Sequence, residues 1–254
     1  MRTRNSRAGA LAGCATFVLL GFLCGCTNDN AEQGADDHYY RGVEHIRGHR
    51  YKEAISALTK AIELKPESAE GHHHRGRAYA FAGNYDAAIK DHTRAIGLRA
   101  AYFEAYSSRS YAQLKKGRLD AAFVDAAKAI ELNQAYAKAY VNRGALHAMQ
   151  DRQEMALQDF NKAVRLNPKL SRAYTNRGTW YVSQRKWDEA VKDLDTAIEM
   201  DSGDPVPSSV RALAHAAKGD YDKAWADVKT CRKLGSEVSQ KFLAKLRKAS
   251  GREE

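Results

Sequence analysis

Three adjacent histidines, His72, His73 and His74, are the side chains in this sequence best suited to hold a metal ion. Imidazole ligands must converge on one point, yet successive side chains on a helix diverge by about 100°. If the segment is helical, His72 faces a core, His73 an inner surface and His74 the outside, and no metal site forms. His92, His147 and His215 stand alone, and no cysteine–histidine spacing fits zinc. No glycine-rich phosphate loop, nucleophile elbow or pair of catalytic acids stands out. The sequence therefore predicts no catalytic residue, no metal, no cofactor and no small-molecule substrate.

The cysteines offer a different chemistry. Cys14, Cys24 and Cys26 lie in the first 26 residues and the fourth is Cys231, a distribution that implies no disulfide framework. Arg2, Arg4 and Arg7 precede an apolar run from Ala8 to Leu23. That run is short for a membrane span of about 20 residues and reads as an export signal. Leu23-Cys24-Gly25-Cys26 follows, and it resembles the lipobox of bacterial lipoproteins, where a peptidase cuts before a lipidated cysteine. The resemblance implies a signal peptide over 1–25 and a lipid on Cys26. Leu11-Ala12-Gly13-Cys14 also fits the motif, but only Ala8, Gly9 and Ala10 separate it from Arg7, and a signal needs an apolar core of about 7–15 residues. An uncleaved N-terminal anchor is the alternative. Residues 26–36 are polar and aperiodic after the cysteine, and are expected to form a flexible tether reaching at most about 35 Å. The chain is expected to be exported and lipid-anchored. In a two-membrane cell Thr27 suggests the outer membrane, facing the periplasm; otherwise the site is the outer face of the cytoplasmic membrane.

The elements that follow are set by a period of 34. Arginine recurs at Arg41, Arg75, Arg109, Arg143, Arg177 and Arg211, and alanine at Ala54, Ala88, Ala122, Ala156, Ala190 and Ala224. Six copies without insertion occupy 35–68, 69–102, 103–136, 137–170, 171–204 and 205–238. Such a unit buries its apolar face only against its neighbours. A small residue stands at position eight of each copy: Gly42, Gly76, Ser110, Gly144, Gly178 and Ala212. Position 27 is small as well, which makes Cys231 a core residue rather than a reactive thiol.

In length and pattern the unit resembles the tetratricopeptide repeat, a helix–turn–helix in which two helices, A and B, pack closely. The resemblance implies an all-α helix–turn–helix repeat solenoid. Residues 237–254 would be a capping helix and tail, since Val238, Phe242, Leu243 and Leu246 mark one apolar face. The family more often has leucine at position seven. Arginine there needs a partner, and position 23 supplies it: Arg75–Asp91, Arg109–Asp125, Arg143–Asp159, Arg177–Asp193 and Arg211–Asp227 would each join helix A to helix B. Arg41 faces Ala57 and is the exception. Lys138, Asn142, Arg172 and Asn176 are fragments of the family's chaperone-binding clamp. Ser107, Tyr111 and Asn176 depart from it, so that function is not carried over.

By the family's register the inner face of the A helices carries Tyr39, Val43, Ile46, His73, Arg77 and Phe81, then Tyr111, Leu114, Lys138, Val141, Met149, Arg172 and Val182, with Leu213 beyond. These positions differ from repeat to repeat, whereas the core columns do not. A groove of apolar and aromatic residues with scattered charge suits a peptide segment. The net charge of +10 is dispersed among acids, without a basic block interleaved with aromatics, so no nucleic acid is expected. The expected function is a membrane-anchored scaffold that binds protein partners at the membrane or cell wall. The alternative is a permanent structural subunit of an envelope assembly, such as pilus, secretion or cell-wall machinery.

Overall fold

Helix follows from the spacing of small and apolar residues. In the segment 51–64, Ala54, Ala57, Leu58, Ala61 and Ile62 recur three and four apart and are buried together. In 187–200, Ala190, Asp193, Leu194 and Ala197 repeat that spacing. The computed structural model describes the backbone of residues 18–252 and the side chains of residues 32–252, and its elements there are all α-helices. A first unit ending at Asn84 holds α1 (Val18–Arg47), α2 (Tyr51–Leu64) and α3 (Ala69–Phe81). A second unit, from Tyr85 on, holds α4 (Tyr85–Leu98), α5 (Phe103–Lys115), α6 (Leu119–Leu132), α7 (Ala137–Met149), α8 (Gln153–Leu166), α9 (Ser171–Ser183), α10 (Trp187–Met200), α11 (Pro205–Lys218), α12 (Tyr221–Lys233) and α13 (Gln240–Ser250).

Residues 26–36, expected as a flexible tether, are helix instead, because α1 runs through them without a break. Alanine, glutamate and glutamine at 31–33 favour helix, and Ala35 is buried, so the docked end propagates the helix outward. Ten residues of helix span about 15 Å, less than half their extended reach. Residues 1–17, including Cys14, lie outside the described residues, as does the side chain of Cys26. Among the described residues no helix is long and apolar enough to cross a membrane.

Position eight sets how closely two helices of a repeat approach. A Cβ on Gly144 would stand 2.7 Å from the Phe160 ring, one on Gly178 2.8 Å from Leu194, and one on Gly42 2.5 Å from Leu58. Each glycine thus receives the large side chain at position 24 of its own repeat, and little space is left between them. Ser110 holds this position in α5, and its hydroxyl donates to the Ala122 carbonyl of α6 at 2.7 Å. The turn between paired helices uses a left-handed residue at position 15. Gly83, Gly117 and Gly219 supply it without strain, while His49, Asp151 and Arg185 adopt φ of 57–59°. In the second unit Leu243 and Leu246 of α13 are buried with Ala212, Ala224 and Val228, closing that end of the apolar core.

The arginine column joins helices by charge-assisted hydrogen bonds. Arg109, Arg143, Arg177 and Arg211 each donate from Nε and Nη2 to the two carboxylate oxygens of Asp125, Asp159, Asp193 and Asp227, at 2.6–3.0 Å. Arg75 and Asp91 fall in different units. A second contact was not foreseen in the sequence. Nη1 reaches back to helix B of the preceding repeat: Arg75 to Thr59, Arg109 to Thr93, Arg177 to Asn161 and Arg211 to Asp195. The corresponding residue for Arg143 is Ala127, which has no side-chain acceptor. Tyr106, Tyr140 and Tyr174, one turn earlier, place their rings 5.5–5.6 Å from the guanidinium of Arg109, Arg143 and Arg177.

The aspartates are nearly fully buried, so losing the arginine should cost more than losing a surface pair. At Arg177 and Asp193 the side chains are 17% and 7% exposed. Arg177→Met is expected to lower the stability of its repeat by about 3–5 kcal/mol, by stranding Asp193. Arg177→Met combined with Asp193→Leu should recover most of the loss. Urea unfolding followed by circular dichroism reads both. A single variant indistinguishable from wild type would place the pair in the roughly 0–1 kcal/mol range of exposed ion pairs.

The three histidines do not converge. His72 donates from Nε2 to the Pro66 carbonyl at 3.0 Å, and His73 is buried. His74 is not outside, as its position had implied, but half-buried and edge-on to Tyr39, with ring centroids 5.4 Å apart. Arg77 can only donate, so His74 Nδ1 accepts from Arg77 Nη1 at 3.3 Å and carries no proton there. Burial first, then the neighbouring Arg77 and Arg47 cations, push its pKa down to about 4, against an opposing pull from Glu70. The unfolded chain takes up this proton first, near the ordinary value of about 6.5. The contribution is therefore complete above about pH 7 and is lost as pH falls toward 4. About 2 kcal/mol of stability should disappear between pH 8 and pH 5, and His74→Phe should remove most of that dependence. Denaturant midpoints at the two pH values test it, and an unchanged slope in His74→Phe would assign the loss to other groups.

Candidate partner-binding surface

A partner surface on stacked helix pairs must come from side chains that packing does not consume. The A helices provide these in their first turn and along one edge. In the second unit, α5, α7, α9 and α11 are A helices, each packed against the next in the series. Lys138 is exposed at the start of α7, and Met149 is 59% exposed at its end. Leu213 on α11 is 41% exposed, with Val206 at 50% about two turns earlier. Tyr111 on α5 and Arg172 on α9 are half-buried, and the guanidinium lies 4.2 Å from the phenol ring centroid.

Polar bonds tie this face together across three helices. Asn142 of α7, buried, donates from Nδ2 to the Ser107 carbonyl of α5 at 2.8 Å and to its hydroxyl at 3.3 Å. Its Oδ1 accepts from Arg172 Nη2 at 2.8 Å. Asn142, a fragment of the clamp, and Ser107, a departure from it, are the residues that fix Arg172. The three helices are brought together by the repeat, but the hydrogen-bonded row is not a repeat column: it uses positions five, six and two of successive repeats.

Several residues expected on this face belong to the core. Val141 is 1% exposed and packs with Ala137, Tyr140, Ala163 and Ala173. Leu114 and Val182 are half-buried against the clusters around Leu146 and Leu194. In the first unit Ile46 is buried with Ala54, Leu58 and Ala78, and His73 is buried as well. These positions border the neighbouring helix, and a large apolar side chain there turns inward. Tyr39 and Val43 are half-buried, Tyr39 between Tyr40 and His74. Phe81 remains exposed but stacks on Tyr51, at 5.4 Å and 20° between planes, with the Arg77 guanidinium 6.0 Å from its ring. Cys231 is fully buried, and burial pushes its thiol pKa up, as suits a packed residue.

Comparison with known proteins agrees with this architecture. Tetratricopeptide repeat family matches cover residues 35–68, 69–102, 137–170 and 175–228, together more than half of the chain. No curated protein matches the chain. A solved thermophilic repeat protein from Thermus thermophilus is 20% identical, with a TM-score of 0.63 over 72% of this chain and 98% of that one. A chain of the APC/C hetero-tetramer Cut9-Hcn1 is 17% identical, with a TM-score of 0.74 over 87% of this chain and 46% of that one. The Pseudomonas aeruginosa pilF structure is 17% identical, with a TM-score of 0.62 over 86% of this chain and 99% of that one. At these identities the likeness is one of fold alone. With its repeat columns, its paired helices and these matches, the chain belongs to the tetratricopeptide repeat family, which is generally a non-catalytic module for protein–protein interaction.

Proposed function

We propose that this protein is a lipid-anchored scaffold of the bacterial cell envelope that holds segments of partner proteins on the face of its A helices. The observation that carries the reading is the contrast between columns. Core positions repeat nearly unchanged, while Lys138, Met149, Arg172, Val206 and Leu213 differ from their counterparts in other repeats and keep exposed surface. Packing demands the first pattern and makes no demand that would produce the second. Exposed apolar side chains next to cations suit a segment carrying both apolar residues and acid. The anchor rests on the charged start, the apolar run and Leu23-Cys24-Gly25-Cys26. A diacylglycerol and an amide-linked chain on Cys26 would make attachment durable, since one acyl chain alone binds marginally. With residues 26–36 helical, the repeats would stand close to the membrane, and the partner would work there or in the adjoining wall.

Two readouts in the native cell test this. Cys26→Ser should leave uncut precursor, while Cys14→Ser should be processed normally. Mass spectrometry that finds an unmodified Cys26, or a mature chain beginning at Cys14, overturns the anchor. For the surface, Met149→Ser with Leu213→Ser removes exposed apolar area and should change stability by less than about 0.5 kcal/mol per site. Crosslinked partners should fall about tenfold or more in that variant. They should be unaffected by Val124→Ser, which alters a 66% exposed residue on the B helix α6. The reverse pattern would move the binding surface to the B helices.

A further inference from the structure

Half-buried arginines of the second unit's A helices stand in two electrostatic settings. Arg109, Arg143, Arg177 and Arg211 each hold a carboxylate on two points. Arg172 is half-buried as well, but its contacts are an amide oxygen and an aromatic ring, and among the described residues no carboxylate pairs with it. Burial lowers its pKa, and the phenols of Tyr111 and Tyr136 oppose this. A guanidinium stays charged in any such setting. The fold has taken a cation partly out of water and, among the described residues, has not supplied its counter-charge. It has also fixed the side chain in place, between Tyr111 and the buried Asn142–Ser107 pair, so little rotamer entropy remains to be lost on binding.

We propose that Arg172 is the anchor point for an internal acidic side chain of a partner segment, whose neighbouring apolar residues lie on Val206 and Leu213. This rests on the reading of the A-helix face as the partner surface. The guanidinium gives one Nη2 hydrogen to Asn142, and its second Nη2 hydrogen, together with that of Nε or Nη1, is left for a two-point contact with one carboxylate. Asn142 has Nδ2 engaged with Ser107 and Oδ1 with Arg172, so it offers no donor to a chain terminus or to peptide backbone. A single carboxylate, such as an Asp or Glu side chain within the segment, needs no donor beyond the guanidinium. Val206 and Leu213 lie on α11, the next A helix packed against α9, and are half-exposed apolar surface for the residues that flank the acid.

The test uses the full chain and an array of random twelve-residue peptides blocked at both ends by acetyl and amide groups. Bound peptides are expected to share one Asp or Glu, with apolar residues within about a turn of it. Changing that acid to its amide should weaken binding about tenfold or more. Arg172→Gln should weaken the acidic peptides equally and leave their amide versions unaffected, the coupling expected of a direct pair. Arg172→Lys, which keeps the charge and loses the planar fork, should fall between and serves if Arg172→Gln does not fold. An acid preference that survives in Arg172→Gln overturns the proposal, as does binding that requires an unblocked C-terminus. Bound peptides that share no acid, and are lost in Met149→Ser with Leu213→Ser, overturn it while leaving the partner surface standing. If no peptide binds, both the anchor point and the surface reading fall.

Discussion

A guanidinium at position seven decides how one helix pair meets the next. Arginine there is a costly choice, because a leucine would need no partner. What it supplies is direction. The planar fork fixes Nε and Nη2 on the aspartate of its own helix B, and the third nitrogen then points to helix B of the preceding repeat. Three helices are tied through one side chain, and each must be in register for the others to be satisfied. Alanine and glycine contacts let helices approach, but apolar packing alone tolerates sliding far better than a two-point ionic contact does. The arrangement gains fold specificity at little net stability, since a buried pair contributes little beyond its own desolvation.

The strength of this tie varies along the chain. Arg211 bridges two aspartates, Asp227 and Asp195, and these hydrogen bonds raise its pKa despite burial. Arg109 and Arg177 meet a neutral oxygen, from Thr93 and Asn161, on the side of the preceding repeat. Arg143 faces Ala127 there and keeps only its own aspartate. In repeat arrays the junctions carry the cooperativity, because each repeat touches only its neighbours. The junction between α6 and α7 therefore lacks a polar tie that the flanking junctions have, and apolar contact around Leu146 and Ala126 must hold it.

Columns of one residue type were legible in the sequence because packing makes the same demand at every copy. Gly144 and Gly178 announce a close approach, and Arg177 with Asp193 announces a pair, since each choice is dictated locally and repeated. What escaped was whatever is satisfied by more than one residue type. The acceptor for Nη1 is Thr59, Thr93, Asn161 or Asp195, so no column flags it, although a spacing of 16 residues before each arginine would have revealed it. The left-handed turn is glycine in only half of the repeats, and His49, Asp151 and Arg185 hide it in the rest. Register alone puts Ile46, His73 and Val141 on the inner face. Register gives the direction of a Cβ but not whether the neighbouring helix covers it, and there it does. The helix through residues 26–36 escaped for another reason: polarity and lack of period describe an exposed helix as well as they describe a tether.

Arg172 shows where the logic of the repeat stops. The polar repeat columns of the second unit's A helices are satisfied by their neighbours. Ser110 has a carbonyl, the tyrosines of position four have arginines, and the arginines have aspartates. Asn142 and Ser107 satisfy each other and then hold one nitrogen of Arg172, so even the unusual row is internally complete except for its charge. A folded chain is consistent across its levels nearly everywhere, and the places where it is not are where function is expected. This charge lies on the variable face, on the A helix next to the one that carries the exposed Val206 and Leu213, and at a position where the repeat itself requires no arginine. Stability alone would favour a neutral residue at 172, since the desolvated cation is opposed by nothing stronger than a ring and an amide. Among the described residues no carboxylate supplies its counter-charge, and the acidic side chain of a bound partner would.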